Sequence, residues 1–157
     1  MCLKSIVKTN FFVKRIEHIL CPICKQDSLK VNGRRERIVL ISDGSKTIYL
    51  IERLKCEYCG KIHHVLPDFI VPYKRYSRQV IEKIISDDTS ELACEDSTIR
   101  RIRRWYFELE TTLKQAFVAC FAKVGQIPTA EPVLKEIVRT LVNSNLWPST
   151  CSAFSSA

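Results

Sequence analysis

Two cysteine pairs constrain this chain more than any other feature. Cys21-Pro22-Ile23-Cys24 and Cys56-Glu57-Tyr58-Cys59 each hold two thiols two residues apart, and 31 residues separate the pairs. A tight turn at this spacing aims both thiols of a pair at one point, and two such turns supply the four sulfurs of a closed, tetrahedral structural zinc site. We expect one structural Zn2+ held by Cys21, Cys24, Cys56 and Cys59. Four thiolates around a dication leave a net charge of about −2, and Lys25, Lys55 and Lys61 flank the pairs where they can offset it. A redox role for a C-x-x-C pair calls for a βαβ setting that neither pair has.

The spacer agrees with the metal. Arg35–Ile41 and Lys46–Leu54 are rich in Ile, Val, Leu and Tyr, and Ser42-Asp43-Gly44-Ser45 between them carries the Asp-Gly hairpin signal. Thr47, Tyr49 and Ile51 alternate with Ile48, Leu50 and Glu52, so one face of the second strand can be buried. A β-hairpin joining two such cysteine turns is the layout of a zinc ribbon. His63 and His64 lie close enough to the second pair for one to replace a sulfur, but four cysteines favour packing or surface roles for both. Cys2, Cys94, Cys120 and Cys151 share no spacing and read as small apolar residues. His18 is isolated.

After the cysteines the pattern changes. Leu66–Tyr73 has two prolines framing an apolar run and reads as an extended connector. From Ser77, a capping residue, Val80, Ile81, Ile84 and Ile85 recur at helical spacing. Asp87, Asp88 and Thr89 end that helix and start a short one through Glu91, Leu92 and Ala93. Asp96 and Ser97 cap a longer helix from near Thr98. On it Ile99, Ile102, Tyr106, Leu109, Leu113, Ala116 and Cys120 form an apolar stripe at alternating intervals of three and four. Arg100, Arg101, Arg103 and Arg104 fall on the opposite side. Beyond Gly125-Gln126-Ile127-Pro128, Val133, Leu134, Ile137, Val138, Leu141 and Val142 mark a last packing helix.

Charge points to an anionic partner. The chain carries 25 Lys and Arg against 17 Asp and Glu, a balance of +8. Almost all of the surplus lies before residue 91, and the four arginines between Arg100 and Arg104 hold half of the bases that follow. No stretch of the first twenty residues has a signal-peptide apolar core, and no segment reads as a membrane span. The expected setting is the cytoplasm, where thiols stay reduced.

The segment around Cys21-Pro22-Ile23-Cys24, the hairpin ending in ERLKCEYCGKIHHVLPDFIVPYKRYS, and DSTIRRIRRW together resemble the N-terminal region of certain bacterial insertion-sequence transposases. The resemblance is closer to short bacterial proteins known as a domain of unknown function that share this front end, and it covers roughly Leu20–Trp105. In such transposases a zinc ribbon and a helix-turn-helix bind the transposon ends. The resemblance thus implies a metal role for Cys21, Cys24, Cys56 and Cys59 and a DNA role for the arginines near Arg100. An RNase H-like nuclease domain follows in those proteins, and the stretch beyond Gly125 is too short for one.

The expected architecture is α+β: a zinc ribbon with an N-terminal extension over 1–66, a connector over 67–76, a helix-turn-helix-like region over 77–124, and a packing helix with a tail over 125–157. The expected function is non-catalytic binding of double-stranded DNA through Arg100, Arg101, Arg103 and Arg104, aided by Lys74, Arg75 and Arg78. A protein-binding adaptor is one alternative. Another is a structured-RNA binder, in which Trp105, Phe107, Tyr73 or Tyr76 stacks on unpaired bases. The three-four stripe also suggests a homodimer through the long helix.

Overall fold

A computed structural model describes residues 7–13 and 18–148; Cys2 and Cys151 lie outside them. The fold is α+β, in the order β1 (Val7–Val13), β2 (Leu29–Leu40), β3 (Lys46–Cys56), β4 (Ile62–His64), α1 (Arg78–Ile85), α2 (Asp96–Ala122) and α3 (Leu134–Asn143). The expected hairpin is β2–β3. Its turn closes through the Gly44 N–H on the Ile41 carbonyl at 3.0 Å and the Ser45 N–H on the Asp43 carboxylate at 2.8 Å. The first strand is longer than its apolar pattern suggests. It runs back to Leu29, opposite Cys56, across a β-bulge between Val31 and Arg34.

Strand β3 is the middle of the sheet. It pairs antiparallel with β2 on one side, and on the other with β1 in parallel and with β4 antiparallel. Strand β1 lies in the N-terminal extension, where no strand was expected. Of the two alternating faces, Thr47 and Ile51 are buried, and Tyr49 packs between Phe11 and Phe69, with ring centroids 5.5 and 5.0 Å away. The connector covers this face with Ile70, Leu66 and Phe69. It then joins the edge of β2: the Leu40 N–H donates to the Arg75 carbonyl at 2.7 Å, and the Leu40 carbonyl accepts from Ser77 at 2.9 Å.

The Ser77 hydroxyl accepts the Val80 N–H and starts α1 as its sequence predicts. The short helix through Glu91–Ala93 does not form. Thr89–Leu92 makes a single turn, and the Ala93 N–H donates to the Ser42 carbonyl in the hairpin turn at 2.9 Å. The link from Ile85 to Asp96 is therefore longer than the three or four residues of a helix-turn-helix corner. Helix α2 begins at Asp96, with Glu95 as its cap, two residues before the expected start. The Ser97 hydroxyl donates to the Glu95 carboxylate at 3.4 Å instead of capping.

The seam of α2 is rotated from the expected stripe. Thr98, Ile102, Trp105, Leu113 and Phe117 are buried, while Ile99, Tyr106, Leu109, Ala116 and Cys120 flank them half-buried. The first half packs with Val71, Val80, Ile81 and Ile84. The second half packs with Ile137 and Leu141 of α3. Of the stripe that suggested a dimer, Ile102 and Leu113 are buried within the chain and the other five members are half-buried. Among the described residues, no helix is long and apolar enough to cross a membrane.

Candidate metal centre and candidate nucleic-acid interface

The two cysteine turns are the same loop built twice. The Cys21 carbonyl accepts the Lys25 N–H at 2.9 Å, and the Cys21 N–H donates to Gln26 at 3.0 Å. The Cys56 carbonyl accepts the Gly60 N–H, and the Cys56 N–H donates to Lys61, both at 2.9 Å. Each loop needs a left-handed residue directly after its second cysteine: Lys25 at φ +61° and Gly60 at φ +71°. Glycine adopts that conformation freely, whereas a lysine there costs roughly 1–2 kcal/mol.

Strand pairing brings the loops together. Leu29 lies opposite Cys56, and the Glu57 N–H donates to the Ser28 carbonyl at 2.9 Å. The four Sγ atoms of Cys21, Cys24, Cys56 and Cys59 then lie within 4.8 Å of one another. Cys21–Cys59 is 3.7 Å and Cys24–Cys56 is 3.5 Å. A tetrahedron with metal–sulfur bonds of about 2.3 Å has edges of about 3.8 Å. The residues expected to bind a metal are therefore placed as its ligands would be. Cys21 and Cys56 are buried with Leu29 and Leu54, which keeps water from the inner side.

The electrostatics of the sulfurs also suit a cation. The Cys59 N–H and the Ser28 hydroxyl, 2.9 Å from the Cys56 sulfur, hold Cys56 down at about 6. The Gln26 N–H lowers Cys24, but desolvation and the crowded sulfurs of Cys56, Cys21 and Cys59 outweigh it and push Cys24 up to about 12. Four thiolates this close need a positive ion between them. His63 Nε2 is 3.5 Å from the Cys21 sulfur, and burial lowers its pKa, so it stands beside the cluster as a neutral hydrogen-bonding neighbour. Ser28 carries no sequence signal, and His63, close enough in sequence to be weighed as a substitute ligand, stands instead as a packing neighbour of the four cysteines. Register puts them there: His63 pairs with Leu54, two residues from Cys56.

The predicted basic residues lie along the connector, at the start of α1 and in the first turns of α2. Arg100, Arg101, Arg103 and Arg104 are all exposed. Arg103 also works within the chain: its Nε donates to the Ile84 carbonyl at 3.0 Å and its guanidinium pairs with Asp87, which ties α2 to the end of α1. Arg101 donates to the Thr98 hydroxyl at 3.2 Å. Arg78 grips the Glu82 carboxylate through two bonds of 2.6 and 2.8 Å. Lys74 Nζ sits 4.0 Å from the Trp105 ring centroid, and Arg75 is exposed. Of the aromatics with a suggested stacking role, Trp105 is 2% exposed and belongs to the core, Tyr76 is half-buried, and Tyr73 and Phe107 are open.

Fold and site together define an α+β protein with a four-thiol, metal-compatible centre at the base of a β-hairpin. Residues 21–105 match the family described as Domain of unknown function (DUF6431), and the chain belongs to that family. The matched stretch opens on the first cysteine of the cluster and closes on Trp105, so it spans both loops, the connector, α1 and the arginine-bearing start of α2. No curated protein and no solved structure matches the chain.

Proposed function

We propose that this chain is a non-catalytic zinc-ribbon protein that binds double-stranded DNA, similar in role to the end-binding part of a transposase. The observation that carries this reading is the exposed set Arg100, Arg101 and Arg104 on the outer side of α2, continued by Lys74 and Arg75 on the connector. The opposite side of the same helix is locked into the core by Ile102 and Trp105. Guanidinium groups on a rigid element make directional, bidentate contacts to phosphates and guanine edges. Arg78 and Arg103 support the scaffold in this reading and contribute little to binding. Zinc is the ion that best suits four thiolates in tetrahedral array, and a site with four protein ligands is closed to substrate, which favours a structural role.

The test is binding of the zinc-loaded protein to a labelled duplex across a salt series. If Arg100, Arg101, Arg104, Lys74 and Arg75 each neutralise a phosphate, log affinity falls with log salt at a slope of about −4 to −5. Arg100→Ala/Arg104→Ala is expected to weaken binding at least tenfold with the fold intact. Binding that ignores both salt and this double substitution would sink the reading and favour a protein-binding adaptor.

A further inference from the structure

The hairpin sorts its charges by face. Directly opposed residues in a ladder share a face, and successive residues along a strand change face. Arg37 opposes Tyr49, Arg35 opposes Ile51, and Arg53 opposes His64. Arg35, Arg37, Arg53 and His64 therefore lie on the face that buries Ile51 and Val39. Glu36 opposes Leu50, and Arg34 opposes Glu52, so both carboxylates of this region lie on the other face. Three arginines share a face from which the neighbouring acids have been turned away.

The cluster is incompletely satisfied. Arg37 Nη2 donates to the Lys74 carbonyl at 2.9 Å. The Nε atoms of Arg37 and Arg53 are buried and have no hydrogen-bond partner among the described residues. Desolvation and then Arg35 and Arg75 lower the Arg37 pKa; burial and then Arg35, Arg53, Arg37 and His63 lower that of His64. The charges acting most strongly on both groups are cationic. Gathering like charges on one face is costly unless an anion offsets them.

The cations also form a continuous path. Arg75 brings the connector to Arg37, Lys74 lies over Trp105, and Arg101 and Arg104 flank Trp105 on α2. A single small anion needs donors that converge on one point, whereas positive groups strung over a sheet face, a connector and a helix suit a polymer with a phosphate at every step.

We infer that the exposed Arg35 with the half-buried Arg37 and Arg53, on the sheet face that the connector otherwise covers, forms a second contact surface for the phosphodiester backbone of duplex DNA, continuous through Arg75 with the α2 surface. This inference rests on the DNA-binding reading given above. In it, α2 provides the contacts that orient the protein and the sheet face grips the flanking backbone.

The experiment is fluorescence anisotropy of the zinc-loaded full chain on a labelled duplex of about 30 base pairs, long enough to reach both surfaces at about 3.4 Å per step. Arg35→Gln/Arg53→Gln is expected to lose about tenfold in affinity and to make the salt slope shallower by about 1 to 2. Arg35→Lys/Arg53→Lys, which keeps the charges, is expected to retain the slope. Should the glutamine pair lose metal or its circular dichroism signal, Arg35→Glu alone, at an exposed position, is the variant to read, with at least a tenfold loss expected. Unchanged affinity and slope in the folded variant, alongside weakened binding by Arg100→Ala/Arg104→Ala, overturns the second surface and leaves the DNA-binding reading standing. No binding of the unaltered chain to duplex overturns both.

Discussion

The cysteine end of the hairpin and the helical half are held together by different physics. Around the sulfurs, the buried cluster is small: Cys21, Leu29, Leu54 and Cys56, with Ile19, Cys24, Cys59 and Val65 at its margin. In the helical half, Val80, Ile81, Ile84, Ile102, Trp105, Leu113, Phe117, Ile137, Val138 and Leu141 are buried across three helices. One region lacks the apolar area to order itself and gathers four thiols instead; the other has a conventional core. The contrast sets a long charged helix face, backed by a conventional core, against a hairpin end built around a metal-compatible cluster of four thiols. It also makes the connector, which hydrogen-bonds to β2 and caps α1, the place where the two kinds of stability meet.

The sharpest way to break this contrast is to remove the metal ligands. Cys21→Ser/Cys56→Ser, or exhaustive chelation, is expected to abolish stoichiometric zinc and to disorder the hairpin end while most of the helical circular dichroism signal at 222 nm remains. Loss of the helical signal in the same step would show that the halves fold as one unit. Trp105→Ala tests the other side. It should destabilise the protein by about 3–5 kcal/mol, read by thermal or urea unfolding, and leave zinc content unchanged.

Proton release provides a subtler comparison. With Cys56 held at about 6 and Cys24 pushed up to about 12, the unloaded cluster at neutral pH holds a thiolate at the first position and a thiol at the second. Metal binding requires both as thiolates, so loading at pH 7 should release protons and apparent affinity should rise with pH. Calorimetry in buffers of different ionisation enthalpy measures this, and zero net release would contradict it. The smallest effects come from the paired loops themselves. Gly60→Ala forces a side chain into a left-handed conformation, at about 1–2 kcal/mol, although nothing lies within 4 Å of the added carbon. Lys25→Gly relieves the same strain in the twin loop and should stabilise by up to about 1 kcal/mol, since glycine's greater freedom in the unfolded chain takes back part of the gain. Metal-loaded melting curves for the two variants should move in opposite directions.

Much of this was legible where the signal is local. The cysteine spacing, the Asp43-Gly44 turn and the Ser77 cap each depend on a few consecutive residues, and each stands where expected. What escaped was set by distant partners. Strand β1 exists because β3 offers it an edge in parallel, far along the chain. The helix expected through Glu91–Ala93 gave way to a backbone bond from Ala93 to Ser42. Trp105 sits beside two arginines in sequence and so looked like a surface residue, yet the rotation of α2 aims it inward under Lys74. The four clustered cysteines could be named from the chain alone; placing Ser28 and His63 beside them needed the strand register.

That register hangs on a mismatch in length. Strand β2 has 12 residues and β3 has 11, yet their pairing is pinned at both ends, by the cysteine loops and by the Asp43-Gly44 turn. One residue is surplus, and the chain stores it at Asn32-Gly33, where Gly33 takes φ +81°. On the cysteine side of that point the odd-numbered residues Leu29 and Val31 share a face with Leu54 and Cys56; on the turn side the even-numbered Arg34, Glu36 and Ile38 take that face over. The bulge is therefore where the strand changes its numbering parity. Removing one residue there should leave both faces as they are. A side chain that ironed the bulge flat without shortening the strand would bring Ile38 to the core, turn Val39 to solvent and exchange the acids with the arginines, all without altering any of those residues.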